Sequence, residues 1–476
     1  MMNRGFARWA TAVAVVIAFV SCSENPTSPN PNPDPNPNPN PDPDPVFTGA
    51  TIAPGPVNVL TAVVTVDATG FDVTSLRMRT MGEPEIISPD YAFESDQARP
   101  AALGLLPDRL YEIDVLVTEG GETQVGQTLT FTTGSLPAWL PQITPVGTPA
   151  EDGFILLSHP EGGVVVDNLG RVRWYIQETV STLTNYASHP SGEYTFFGFD
   201  NPREFRTLNE LGEVERTLTC VGRPTRFHEV RVLSNGAYWV VCDNEIPTDL
   251  SSRGGDPAGL VNWTVLQRVS ASGTLEFEFN TADHFSLDDI DPSAYVGASE
   301  VNITHGNSIE FDTDGNLLLS WRSLNEVTKV DASTGEVIWR LGGEASEFTV
   351  VDDTRAFERP HGLRAVAPGV IQLLDNGTVA PSRLVRYSVD TQTMIATRVL
   401  EFSTAEGSFT FVGGSTEVIG VDDALVSFGR AGKVVEVDAA GTEVFDLTGL
   451  DGVYIFRAER IPSLYEAERM EAGPVI

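Results

Sequence analysis

From about residue 143 to residue 464 the chain repeats one unit, and this repeat narrows the possible folds more than any other feature. Each unit holds an apolar strand, a turn with glycine, a second strand, and a strand pair around a D-x-x-G turn. "SIEFDTDGNLLLSWRSLNEVTKVDASTGEVIWRLGG" (308–343) is a clear copy. Others cover 229–279, 362–402 and 416–448, while 154–176 and 186–219 fit less cleanly. Six units of about four strands, with almost no helical periodicity, predict an all-β fold with a six-bladed β-propeller over 143–465. "VYIFRAERIPSLY" (453–465) is expected to add a strand to an early blade and close the ring. The Asp312-x-Asp314-Gly315 run lacks the remaining ligands of a calcium loop and reads as a hairpin turn.

Three segments precede the repeat. Residues 1–22 combine a basic start (Arg4, Arg8), an 11-residue apolar run from Ala10 to Val20, and "FVSC" ending at Cys22. The run is too short to span a bilayer and predicts a secretory signal with a lipobox-like end, leaving Cys22 lipidated. Residues 23–46 carry ten prolines between 26 and 45, which predicts a disordered, extended spacer. At about 3.1 Å per residue it would hold the folded part about 70 Å from its anchor. Residues 47–134 alternate apolar and polar positions around a Gly-Gly turn and resemble the last strands of an immunoglobulin or fibronectin-III β-sandwich. "GSLPAWLPQ" (134–142) reads as a linker. Lipid, spacer and globular body together predict a cell-envelope protein whose membrane contact is the lipid anchor.

The 66 acidic residues against 30 basic ones give a net charge of −36. Such a body repels nucleic acid and anionic lipid, so neither is an expected partner, and an anionic ligand would need local positive charge. Cys220 and Cys242 flank one strand–turn–strand stretch in an oxidising compartment, where either a disulfide or two buried thiols is open. The chain holds no CxxC-type metal motif and no GxxxxGK[ST] phosphate loop, and no cofactor is expected.

Three of the six histidines stand at the same place in the repeat: "TRFHEVRVL" (His228), "ITHGNSIEF" (His305) and "FERPHGLRAV" (His361), each just before the expected first strand of units three, four and five. In a propeller these strand ends converge on one mouth of the channel. Three imidazoles could ligate zinc, or could do nucleophilic and anion-stabilising work. Arg226 and Arg359 stand two residues before His228 and His361, and Arg322 follows the apolar "NLLLSW". Guanidinium groups beside imidazoles disfavour a divalent cation, favour an anion and keep imidazole neutral near pH 7. Trp239, Trp263 and Trp321 could stack on an aryl ring, although buried packing is the plainer use of each.

The order "FHEVRVL-NG", "THGNSI…D-GN-L-S-R", "G-V-WRLGG", "RPHG" and "AERIPSLY" resembles the bacterial arylsulfotransferase family, over roughly residues 48–465. That resemblance implies a PAPS-independent enzyme with a small N-terminal β-domain and a six-bladed propeller. It implies an aryl sulfate donor, a phenolic acceptor and a sulfohistidine intermediate. Carried over by position, His361 matches the nucleophile, His228, His305 and Arg322 the other catalytic groups, and Asn307 of "HGNS" a polar site residue; Arg226 and Arg359 join them as substrate-binding cations. The chain departs from the family in its anchor and spacer, and in having no cysteine within 345–361, where the best-known members carry a disulfide. Those members are dimers, which leaves a homodimer open here. A zinc-dependent propeller hydrolase and a non-catalytic envelope-anchored scaffold are the competing readings.

Overall fold

The computed structural model describes residues 44–177, 185–199 and 202–472. The expected signal segment, Cys22 and the spacer through residue 43 lie outside the described residues. From Phe154 onward, the described strands form six sheets whose main strands span 154–177, 187–218, 225–280, 306–342, 361–402 and 415–448. These pair antiparallel with their sequence neighbours, while the short Glu300–Asn302 and Thr349–Val351 add in parallel. The second strands of these sheets are largely apolar because both faces are covered: Leu317–Trp321, "LLLSW", is buried at every position. The outermost strand of that sheet, Val337–Gly342, is only intermittently buried. In the Asp312–Asn316 turn, Asp312 and Asp314 both take the Lys329 ammonium, at 2.5 and 2.6 Å, so these carboxylates serve an ion pair across the hairpin.

The first strands of successive sheets stand side by side. Thr225–Val232 adjoins Gly306–Phe311, which adjoins His361–Ala367, then Ser415–Ile419, then Ala458–Ile461, then Ala187–Ser188. Asn185 and His189, flanking that last strand, bond back to Thr225–Val232 through the carbonyls of Phe227 and His228 and the amide of Val232, so the order closes on itself. Two strands from the ends seal it. Ala458–Ile461 pairs with Phe154–His159, as the C-terminal motif predicts. Thr144–Gly147 pairs with Glu443–Thr448, a second closure hidden in the sequence by the prolines of "ITPVGTP".

Before the repeat, Val46–Pro54 and Ala62–Thr69 form one sheet, and Val73–Arg79, Leu110–Glu119 and Glu122–Thr132 form another, each completed by short strands. Val64 and Val66 of the first pack with Leu76, Met78, Ile113 and Val115 of the second in one core. Leu60 instead joins the core of Ile155, Leu157 and Val164, which ties these sheets to the repeat. Trp239, Trp263 and Trp321 sit together, buried, in one core cluster. The Trp321 indole donates to Thr328 at 2.8 Å. Cys220 and Cys242 are joined in a disulfide, with their Cα atoms 6.0 Å apart.

Candidate active site

Three of the inner strands break register where their histidines stand. Pairing shifts between Thr225 and Val230, between Gly306 and Ser308, and between His361 and Arg364. Ser415–Ile419, which carries no histidine, pairs without interruption. Such bulges re-aim side chains out of the ladder. His228 therefore lies inside its strand, His305 directly before one, and His361 at the start of one, a small adjustment to the expected positions. Two of the three histidines precede glycine for a steric reason. A Cβ on Gly362, at φ +54°, would stand 2.3 Å from the Thr416 nitrogen, and one on Gly306 would meet Thr264 and Trp321 at 2.9 and 3.0 Å. His305 itself takes φ +51°, a left-handed conformation uncommon for a residue with a side chain.

The bulges bring the imidazoles together. His228 Nε2 and His305 Nε2 are 3.1 Å apart, with ring centroids at 4.7 Å. Phe227 stacks on His228 at 4.0 Å. Behind His228, Arg226 donates from Nε to Nδ1 at 3.2 Å, and its Nη1 bonds Asp243 at 2.6 Å. Behind His305, its backbone N–H donates to Asn302 Oδ1 at 3.1 Å, and Asn302 Nδ2 lies 3.1 Å from the ring Nδ1. A nitrogen that accepts carries no proton. His228 therefore holds its proton on Nε2, and this Nε2–H is within hydrogen-bond distance of His305 Nε2. His361 has the opposite arrangement. Its Nδ1 donates to the Arg359 carbonyl at 3.0 Å, leaving the Nε2 lone pair available.

Arg322 links the three. Its backbone N–H donates to the His305 carbonyl at 3.1 Å and its Nη2 to the Phe411 carbonyl at 3.1 Å, while its Nε–H is buried without a partner. Its charge depresses the pKa of all three imidazoles. Burial is the larger cause in each. It holds His228 and His305 well below the ordinary histidine value and pushes His361 down to about 4, against the Arg359 carbonyl and the Asn376 side chain, which act to raise it. All three are thus neutral at pH 7. Burial, with Arg359 nearby, also lowers the Arg322 pKa, a sign of positive charge crowded at this end of the strands.

The remaining expected residues divide. Asn307 is buried, donates from Nδ2 to the Pro360 carbonyl at 3.0 Å, and leaves Oδ1 unpaired, so it positions the segment carrying His361. Arg359 contributes its backbone oxygen to His361, and its guanidinium has no carboxylate partner among the described residues. Arg226 is committed to His228 and Asp243, so it serves the imidazole where a substrate cation was expected. Asn302, Asp243 and Asn376 were not singled out from the sequence; the "N-x-x-H" of Asn302 and His305 is the one local signal that could have found them. Zinc does not suit this set, because a ligating imidazole donates its other nitrogen to an acceptor, whereas Nδ1 of His228 and of His305 each faces a donor. Among the described residues no three His, Cys, Asp or Glu side chains are grouped to hold a metal.

Buried neutral histidines make stability depend on pH. Above about pH 6.5 His361 is neutral folded and unfolded, and its contribution is intact; below that only the unfolded chain takes the proton, so stability is lost as pH falls toward 4. Urea denaturation at pH 7 and pH 5 should show the wild type losing about 2 kcal/mol more than His361→Gln over this interval.

An all-β repeat with a histidine–arginine cluster at one end of its inner strands is built for anion chemistry. Residues 218–449, which contain His228, His305, Arg322 and His361, match the family described as Arylsulfotransferase (ASST), and the chain belongs to that family. At family level it is a sulfotransferase. Comparison with curated proteins found no match. Similar solved structures include a protein of unknown function from Bacteroides caccae, at 13% identity and TM-score 0.42, covering 65% of this chain and 98% of that one. They also include a selenomethionine-substituted virginiamycin B lyase from Staphylococcus aureus, at 13% identity and TM-score 0.35, covering 79% and 99%. The WD40 β-propeller domain of Doa1 matches at 9% identity and TM-score 0.33, covering 67% and 86%. At these TM-scores they bear on neither the fold's details nor the activity.

Proposed function

We propose that the chain is a PAPS-independent aryl-sulfate sulfotransferase working by ping-pong transfer through a sulfohistidine. The observation that carries this reading is the opposed protonation of two imidazoles: His361 offers an unprotonated Nε2, while His228, with Arg226 on its Nδ1, carries its proton on Nε2 beside His305. In the first half-reaction the His361 Nε2 lone pair attacks sulfur in line, the S–O(aryl) bond breaks, and an N–S bond forms. The departing phenolate oxygen accepts a hydrogen bond from the His228 Nε2–H in place of His305 and leaves as the phenolate. Arg322, with its unpaired Nε–H, holds the sulfuryl oxygens. In the second half an acceptor enters as its phenolate, its proton having gone to solvent. Its oxygen attacks sulfur, and the N–S bond breaks with the electron pair returning to His361 Nε2. Sulfuryl transfer proceeds through a loose transition state like that of phosphoryl transfer, so positioning and charge supply most of the catalysis.

The same reading takes 143–465 as a six-bladed propeller, 47–134 as a sandwich, and Cys22 as a lipid anchor in the cell envelope. The cyclic order of inner strands supports the first, the shared core of two sheets the second, and the sequence alone the third. The test is 4-nitrophenyl sulfate with and without added phenol. About one equivalent of 4-nitrophenol per site is expected without acceptor, and steady turnover with it. Continuous release in water alone would make the enzyme a hydrolase.

Arg226 separates positioning from binding. Arg226→Met removes the donor that fixes the His228 tautomer, and kcat should fall about 100-fold with KM little changed, the cost of losing one donor to the departing oxygen. A raised KM with kcat intact would instead make Arg226 a substrate contact.

A further inference from the structure

The segment 410–414 runs along the site. Asn376 donates to the carbonyls of Thr410 and Gly413 at 2.7 and 2.9 Å, and the Phe411 carbonyl accepts from Arg322. The Arg430 N–H donates to Thr410 Oγ1 at 3.1 Å, which sets that residue beside the same segment. The Arg430 guanidinium lies 5.7 Å from the Phe411 ring centroid and 5.6 Å from that of Tyr454. From Tyr454 the aromatic contacts continue to Phe456 at 6.2 Å and Phe227 at 6.0 Å, and Phe227 stacks on His228. One wall of rings thus connects Arg430 to the imidazole pair.

Two features of this wall fit a ligand better than packing. Phe411 is 46% exposed beside a buried polar cluster. Arg430 is exposed and has no carboxylate partner among the described residues, in a chain with 66 acidic side chains against 30 basic ones. Two ring faces hold its guanidinium in place by cation–π attraction while leaving its N–H groups free. Arg322 is already assigned to the sulfuryl oxygens. A neutral aryl ring would need only the aromatic faces, so the additional cation is unused unless the ring carries a second anion.

We infer that this wall is the aryl subsite and that Arg430 reads a second anionic group on the ring, so that the favoured donors and acceptors are aromatic acids with a carboxylate meta or para to the reacting oxygen. The inference rests on the sulfuryl-transfer reading above. A body of net charge −36 repels dianions at long range, and Arg430 compensates that locally.

The test compares phenyl sulfate with 3- and 4-carboxyphenyl sulfate. Calorimetry on His361→Ala, with and without Arg430→Ala or Arg430→Lys, measures affinity, and turnover by the wild type with added phenol measures transfer. At least one carboxylated ester should bind about tenfold more tightly than phenyl sulfate, as a charge-assisted hydrogen bond allows. That ratio should fall to about one in Arg430→Ala, survive in part in Arg430→Lys, and shrink in high salt. Equal affinities in the parent protein, or a ratio that Arg430→Ala leaves unchanged, would overturn the subsite. Discrimination in binding with no transfer from any ester would overturn the sulfuryl-transfer reading and leave the subsite standing.

Discussion

Replacing His361 with alanine is expected to remove both the single-equivalent burst and all acceptor-dependent turnover, a loss of at least about 10⁴-fold in kcat. The expectation follows from the hydrogen bond to the Arg359 carbonyl. With the proton held on Nδ1, Nε2 is the one nitrogen of the ring that can attack, and burial keeps it unprotonated at pH 7. No other group in the cluster can stand in. Nδ1 of His228 is occupied by the Arg226 donor, and the Nε2 atoms of His228 and His305 are hydrogen-bonded to each other. Stopped-flow release of 4-nitrophenol from 4-nitrophenyl sulfate measures the burst directly, and the fold can be checked by thermal unfolding. A surviving burst would place the nucleophile elsewhere.

Arg322→Ala should keep the fold and lower kcat by about 10²- to 10³-fold, or about 3–4 kcal/mol of transition-state stabilisation, the cost of removing one preorganised donor from a developing anion. The guanidinium touches protein through one carbonyl, that of Phe411, and its Nε–H is buried unpaired, so little folding energy depends on it. Lysine at this position should recover only part of the loss, because a point charge cannot reproduce the planar fork. Changes at His228 and His305 should be non-additive with Arg322→Ala, since the three act on one group of atoms. Steady-state kinetics on the single and double variants decides this. Additive losses would mean that they act at separate places.

Much of this architecture was legible because strands covered on both faces must be apolar and their turns must hold Asp and Gly. The four later units stood out in the sequence for that reason. Ala187–Ser188, the inner strand of the sheet that fits the repeat least cleanly, is two residues long, too short to leave a pattern. Thr144–Gly147 lies within the expected propeller range but carries no strand signal, because Pro145 and Gly147 interrupt its apolar pattern. The histidines are legible from their shared register, and the glycine after two of them leaves only a hydrogen where the neighbouring backbone or side chains stand. Their partners were not found. Asp243 acts on His228 through Arg226 and Asn376 follows a neighbouring strand, contacts that no spacing in one sequence encodes. Only Asn302 stands in a local N-x-x-H pattern with its histidine. Arg226 shows the limit most directly. Its charge was visible and its ion pair with Asp243 was not, so its role moved from the substrate to the His228 tautomer.

The most direct test of the mechanism is to quench the enzyme after mixing with excess 4-nitrophenyl sulfate and no acceptor, at alkaline pH where an N–S bond survives, and to map peptides by mass. The account predicts one added sulfuryl group, on the peptide containing His361, lost on mild acid treatment and on addition of phenol. A sulfuryl group on any other residue, or none on a protein that still transfers sulfate to phenol, would contradict it.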